Sequence, residues 1–191
     1  MKEILLAKYG EIILKGGNRP RFENILVTNI ANALRRTANV KIQLRQATVY
    51  IDVLDEDKTE LVMDRLSKVF GIVSITRAAV CEKDIEDIKK AAKEYLADEL
   101  KSVDTFKVEA KRADKKFPMD SMQIIREVGG FLDDEFENLK ADMHTPQRTV
   151  RVEIRDFAAY VYCIENKIKG QGGMPIGTGS KATLLLSGGI D

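Results

Sequence analysis

The stretch VKIQLRQATVYIDV, residues 40–53, constrains this chain most. Val40, Ile42 and Leu44 alternate with Lys41, Gln43 and Arg45, and Val49, Ile51 and Val53 alternate beyond Gln46-Ala47. A period of two places each apolar set on one face of a strand. The tight connection at Gln46-Ala47 folds the two strands into a hairpin, and its apolar face needs a cover.

The neighbouring segments can supply that cover. EILLAKYG (3–10) reads as a strand, and Gly16-Gly17 with Asn18 and Pro20 as a turn. From Pro20 to about Arg36, Phe22, Ile25, Leu26, Ile30, Ala33 and Leu34 recur at helical spacing. A second helix is expected over about 58–70, with Leu61, Val62, Leu66, Val69 and Phe70 inward and Gly71 ending it. IVSITRAAV closes the block as a strand. The order β-α-β-β-α-β is ferredoxin-like, an antiparallel sheet with helices on one face. It accounts for residues 1–80.

A second α/β unit is expected over 81–166. Asp84 can cap a helix whose stripe is Ile85, Ile88, Ala91, Ala92, Tyr95, Leu96 and Leu100. TFKVEAK (105–111) alternates as a strand, and RADKKFPMD is a basic loop. A helix over about 119–138 turns Met122, Ile125, Val128, Leu132 and Phe136 inward. TVRVEIR and AAYVYCIE then pair across Asp156-Phe157. Residues 167–183, with five glycines and one proline, read as a linker. The GTGSK within it lacks the spacing of a Walker A loop.

Charge is uneven beneath a net of +1. Residues 1–50 carry nine bases against three acids, and residues 107–116 carry five against two. Two basic patches on a neutral chain point to a polyanion partner. No apolar run approaches the ~20 residues of a membrane span, and the N-terminus makes a poor signal peptide, so a cytoplasmic chain is expected. Cys81 and Cys163 lack metal-type spacing, and a disulfide scaffold is not expected. His144, the one histidine, sits in a loop without an acid–base partner. No metal site is expected.

LLLSGGID, residues 184–191, is an apolar run feeding a Ser-Gly-Gly turn. Glycines let backbone N–H groups approach a phosphate closely, and Ser187 adds a hydroxyl donor.

Four stretches in order resemble the bacterial and archaeal tRNA 4-thiouridine synthetases, a family also linked to thiazole synthesis for thiamine. They are KYGEIILKGGNRPRFE, FKVEAKRADKKFPMDSMQIIREVGG, VRVEIRDFAAYVY and GQGGMPIGTGSKATLLLSGGID. The resemblance implies an N-terminal ferredoxin-like domain (1–80), an α/β THUMP domain (81–166), a glycine-rich linker (167–183) and the start of a PP-loop domain (184–191). That makes the chain α+β overall.

The family uses ATP, with Mg, to adenylate the C4 oxygen of a uridine near the tRNA elbow, and persulfide sulfur then replaces that oxygen. By match to the motif, Ser187, Gly188, Gly189 and Asp191 take the phosphates, while Thr183, Leu184 and Leu185 line the adenine. The implied partners are tRNA, a persulfide donor of cysteine desulfurase type and a second copy in a homodimer. The Ser expected after Asp191 is missing, so no catalytic residue, bound ATP or thiolation is expected from these 191 residues alone, and the last stretch is expected to be poorly ordered. Lys15, Arg19, Arg21, Lys107, Lys111, Arg112, Lys115, Lys116 and Arg126 are the candidate tRNA contacts, holding phosphates by charge and shape. The alternatives are the front of a THUMP-bearing methyltransferase or pseudouridine synthase, or a small-ligand module of ferredoxin-like type.

Overall fold

The computed structural model describes residues 1–179. Thr183, Leu184, Leu185, Ser187, Gly188, Gly189 and Asp191, and the expectation about their order, lie outside the described residues.

The N-terminal unit runs β1 (Glu3–Tyr9), α1 (Arg19–Leu34), β2 (Val40–Arg45), β3 (Thr48–Val53), α2 (Thr59–Ser67) and β4 (Ile72–Cys81). Its strands lie in the order β2-β3-β1-β4, all antiparallel. A 3-10 segment, Glu11–Asn18, takes in Gly16, Gly17 and Asn18 of the stretch read as a turn, with Pro20 already in α1, and Gly16 at φ 51° interrupts it. The hairpin register runs from Val40↔Val53 to Arg45↔Thr48. Gln46 and Ala47 turn it at φ 47° and 62°. That handedness suits strand twist, but a residue with a Cβ there costs about 1–2 kcal/mol.

The second unit runs α3 (Ile85–Tyr95), α4 (Ala97–Lys101), β5 (Thr105–Arg112), α5 (Ser121–Glu135), β6 (Lys140–Ala141), β7 (Arg148–Ile154) and β8 (Ala159–Cys163). Asp84 caps α3 by accepting from the backbone N–H of Glu86 and Asp87 at 2.9 and 3.3 Å. The helix expected through Leu100 breaks at Leu96, yet Leu96 and Leu100 stay in the same core. Asp120 and Gln123 form a reciprocal capping box, which starts α5 at Ser121. The inward stripe of α5 is Ile124, Val128 and Leu132. Met122 is 57% exposed rather than core. Leu61 and Phe70, expected inward, are exposed too.

One sheet joins the two units, because β4 is paired on both edges. It pairs β1 along one edge, while Ala79–Cys81 pair β8 on the other. A two-residue strand, β9 (Ile168–Lys169), takes Ser74 and Ile75 beside it. The order across the molecule is β2-β3-β1-β4-β8-β7-β5-β6, with β5 parallel to β7.

Ile75 and Ala79 project from the same face of β4. Ile75 enters the core under α1 and α2, with Leu26, Ile30 and Leu66; Ala79 enters the core under α3 and α5, with Ile88 and Val128. The helices therefore cover one face. On the other, Leu6, Tyr50, Ala78, Tyr160 and Tyr162 bury one another as a third cluster. Tyr50 of β3 meets Tyr160 of β8 at 5.4 Å between rings, with β1 and β4 between them in the sheet. Strands spaced about 4.8 Å apart in a flat sheet would hold those rings well apart. The sheet is curled, and its helix-free face is concave.

Candidate nucleic-acid interface

The concave face is held by a buried carboxylate. Glu153 of β7 accepts from Lys8 Nζ of β1 at 2.6 Å, from the Tyr162 hydroxyl at 2.6 Å and from the Arg155 guanidinium at 2.5 and 3.1 Å. Burial opposes the charge, but Lys8, Tyr162 and Arg155 outweigh it and hold the carboxyl down to about 2. The hairpin tip closes onto the same place. Gln46 donates to Asp156 at 2.8 Å and accepts from Arg155 at 3.3 Å. Arg45 lies 4.6 Å over the Phe157 ring, and Phe157 meets Tyr50 edge-on.

This seam carries more cations than it neutralises. For the Lys8 ammonium, burial is the largest disfavouring influence; Glu153 attracts it, and Arg155 and Lys111 repel it as near like charges. Lys111 is exposed and makes no ion pair among the described residues. The following loop is hung from the same end of the sheet. The Ala113 amide donates to Ile154 at 2.9 Å. The Asp114 carboxylate accepts from Lys83 at 2.7 Å and from the Lys116 amide at 2.8 Å. Lys83 also donates to the Asp156 carbonyl at 2.8 Å, tying loop to turn. Arg112 donates to the carbonyls of Phe117 and Met119 at 3.2 Å each, so it fixes the loop from within. Lys115 and Lys116 stand exposed on it.

Lys111, Arg112, Lys115 and Lys116 therefore gather at the seam, three of them with exposed charge and one holding the loop. The other residues named from the sequence lie elsewhere. Lys107 is paired with Glu109 at 2.9 Å, and Arg151 bonds the same carboxylate at 2.8 Å. Arg126 is exposed on α5, on the helix-covered side. Lys15, Arg19 and Arg21 cluster where α1 begins. Arg19 is held by Glu23 at 2.7 Å and by the Tyr9 hydroxyl at 3.2 Å, and Lys15 lies 5.4 Å over Phe22. Sequence reasoning missed Lys8, Arg45 and Phe157. Arg45 occupies an alternate position of β2, whose apolar face the period-two pattern marks, whereas Lys8 ends an apolar run without alternation and carried no such signal.

Neither thiol fits a nucleophile. Burial, then the Asp87 and Glu82 charges, push Cys81 up to about 12, and burial pushes Cys163 higher still. Among the described residues no group of three or more His, Cys, Asp or Glu could hold a metal ion, and no helix is long and apolar enough to cross a membrane.

Both units match known domains. Residues 4–76 match the model of the ThiI ferredoxin-like domain, and residues 82–164 match that of the THUMP domain. The chain combines a ThiI ferredoxin-like domain with a THUMP domain.

All 191 residues of this chain align at 47% identity with a probable tRNA sulfurtransferase of Caldanaerobacter subterraneus, covering 48% of it. A solved 4-thiouridine synthetase in complex with RNA and bound ATP superposes over the whole chain at TM-score 0.81 and 33% identity, with 48% of that chain covered. PH1313 of Pyrococcus horikoshii superposes over 92% of the chain at TM-score 0.80 and 31% identity, with 58% of that protein covered. The chain spans about half the length of the curated relatives it matches. In the terms of these domains, the seam lies where the THUMP domain meets the ferredoxin-like domain.

Proposed function

We propose that this chain is the tRNA-gripping part of an ATP-dependent tRNA sulfurtransferase that makes 4-thiouridine. The observation that carries this reading is the alignment, over the entire chain, with a protein named for that activity. The RNA complex of a solved relative supports the choice of partner. The seam supplies the chemistry: Arg45, Lys111, Lys115 and Lys116 offer exposed cations for phosphates, and Phe157 offers an aromatic face beside Arg45. Lys15, Arg21 and Arg126 extend the basic surface to the helix side.

ATP, with Mg, belongs to the longer protein in this proposal. The Ser187–Asp191 loop would hold it by resemblance, and the ATP bound in the solved relative supports that assignment. When bound, ATP supplies the activation of the uridine oxygen. The persulfide donor, the homodimer, the thiamine link and the cytoplasmic setting rest on the family resemblance alone.

Titrating the chain with folded tRNA at increasing salt tests the partner. The expected result is saturable binding whose affinity falls steeply with salt. Absence of tRNA binding at low salt would remove this reading.

A further inference from the structure

We propose that residues 168–178 are a positioning strap, which fixes the chain that follows Gly179 to the ferredoxin-like domain rather than to the THUMP domain. The proposal rests on the sulfurtransferase reading, in which a catalytic domain follows.

The strap leaves the THUMP domain after β8 and runs back along β4. β9 pairs at Ser74↔Lys169 and Ile75↔Ile168. The backbone pairing then continues beyond the strand. Gly170 donates to the Val73 carbonyl at 2.9 Å, Gly172 to that of Ile72 at 2.7 Å, and Gly71 to that of Gly172 at 2.7 Å. Gln171 reaches the Ser67 carbonyl at the end of α2, and Asn29 of α1 donates to the Ile176 carbonyl at 3.0 Å. Met174 packs on the N-terminal core, and Pro175 is buried. A turn closed by Thr178 N–H and hydroxyl donating to the Pro175 carbonyl ends the strap beside α1.

The glycines are required by this path. A Cβ on Gly170 would sit 2.3 Å from the Ile72 carbonyl oxygen, which is backbone and cannot step aside. Gly71, at φ 103°, faces the Pro175 ring, where a Cβ would come within 3.0 Å. The composition that reads as a flexible linker therefore serves close backbone contact. A tether held this way sets where the following domain starts relative to the bound RNA, and small displacements of reacting groups cost rate steeply.

The test uses the full-length enzyme with Gly170→Val and, separately, Gly172→Pro, which removes the donor to Ile72 and cannot adopt φ 67°. Hydrogen exchange at the Gly71 amide reports release of the strap and is expected to quicken about tenfold or more. Thiolation is then expected to lose about tenfold or more in kcat, with Kd for tRNA and for ATP held within about twofold. Three results overturn the proposal: exchange that does not change in either variant, a released strap with unchanged kcat, or a loss of tRNA affinity matching the loss of rate. Failure of the sulfurtransferase reading would look different, because the unsubstituted enzyme would then leave tRNA unthiolated.

Discussion

Lys8 and Glu153, 145 residues apart in sequence, meet at 2.6 Å and join the first strand of the ferredoxin-like domain to the centre of the THUMP sheet. The carboxylate also carries Arg155, which is 5% exposed. Removing Glu153 leaves a buried guanidinium without its counter-charge. Glu153→Ala is expected to cost about 3–5 kcal/mol in urea unfolding. A change well below that would mean that water or other acceptors replace Glu153 easily.

The same contact sets a pH dependence. The folded carboxyl titrates at about 2, below the ordinary 4.5. A lowered folded value means that the unfolded chain binds the proton first, so the stabilisation is complete above 4.5 and is lost as pH falls towards about 2. The stability gap between the natural chain and Glu153→Gln should therefore narrow over that window. A gap independent of pH would show that the charge on Glu153 contributes nothing.

Arg112 and Lys115 should separate loop architecture from charge. Arg112→Ala removes the donor that spans the Phe117 and Met119 carbonyls, so exchange of the loop amides should rise and tRNA affinity should fall with it. Lys115→Ala should leave loop exchange unchanged and reduce the salt slope of binding by about 1. Identical behaviour of the two variants would contradict the distinction.

The thiols should be silent in the folded chain. Cys81 is raised to about 12 and Cys163 further, so at about pH 8 neither holds appreciable thiolate. Disulfide-exchange reagent should react with both only after unfolding. Rapid labelling of native protein would contradict this.

The alternation of apolar residues made the hairpin, β5 and β7 legible, because each buries a face under helices, while β1 and β4 showed as short apolar runs. The opposite face was harder. Tyr50, Tyr160 and Tyr162 are buried only because the sheet curls, which brings together strands remote in sequence. The Lys8–Glu153 contact depends on that curl, so neither residue stood out from its local pattern. β6 and β9 are too short to carry a period, and each exists through its pairing with a longer strand. Met122 illustrates a phase error of helical spacing. The capping box at Asp120 starts α5 so that Ile124 and Val128 face the sheet and Met122 turns outward. Among the basic residues, sequence clustering found Lys111, Lys115 and Lys116 but could not tell the free charges from Lys107 and Arg19, whose partners lie two and four residues away.

On the proposed function, the seam between the two domains grips tRNA through Arg45, Lys111 and Lys115. The direct measurement is the affinity for folded tRNA, across a salt series, of the chain carrying Arg45→Glu, Lys111→Glu and Lys115→Glu together. The expected result is an affinity loss of about a hundredfold or more at low salt and a log–log salt slope shallower by about 3, with an unchanged unfolding midpoint. Wild-type affinity and slope in a folded triple variant would contradict it.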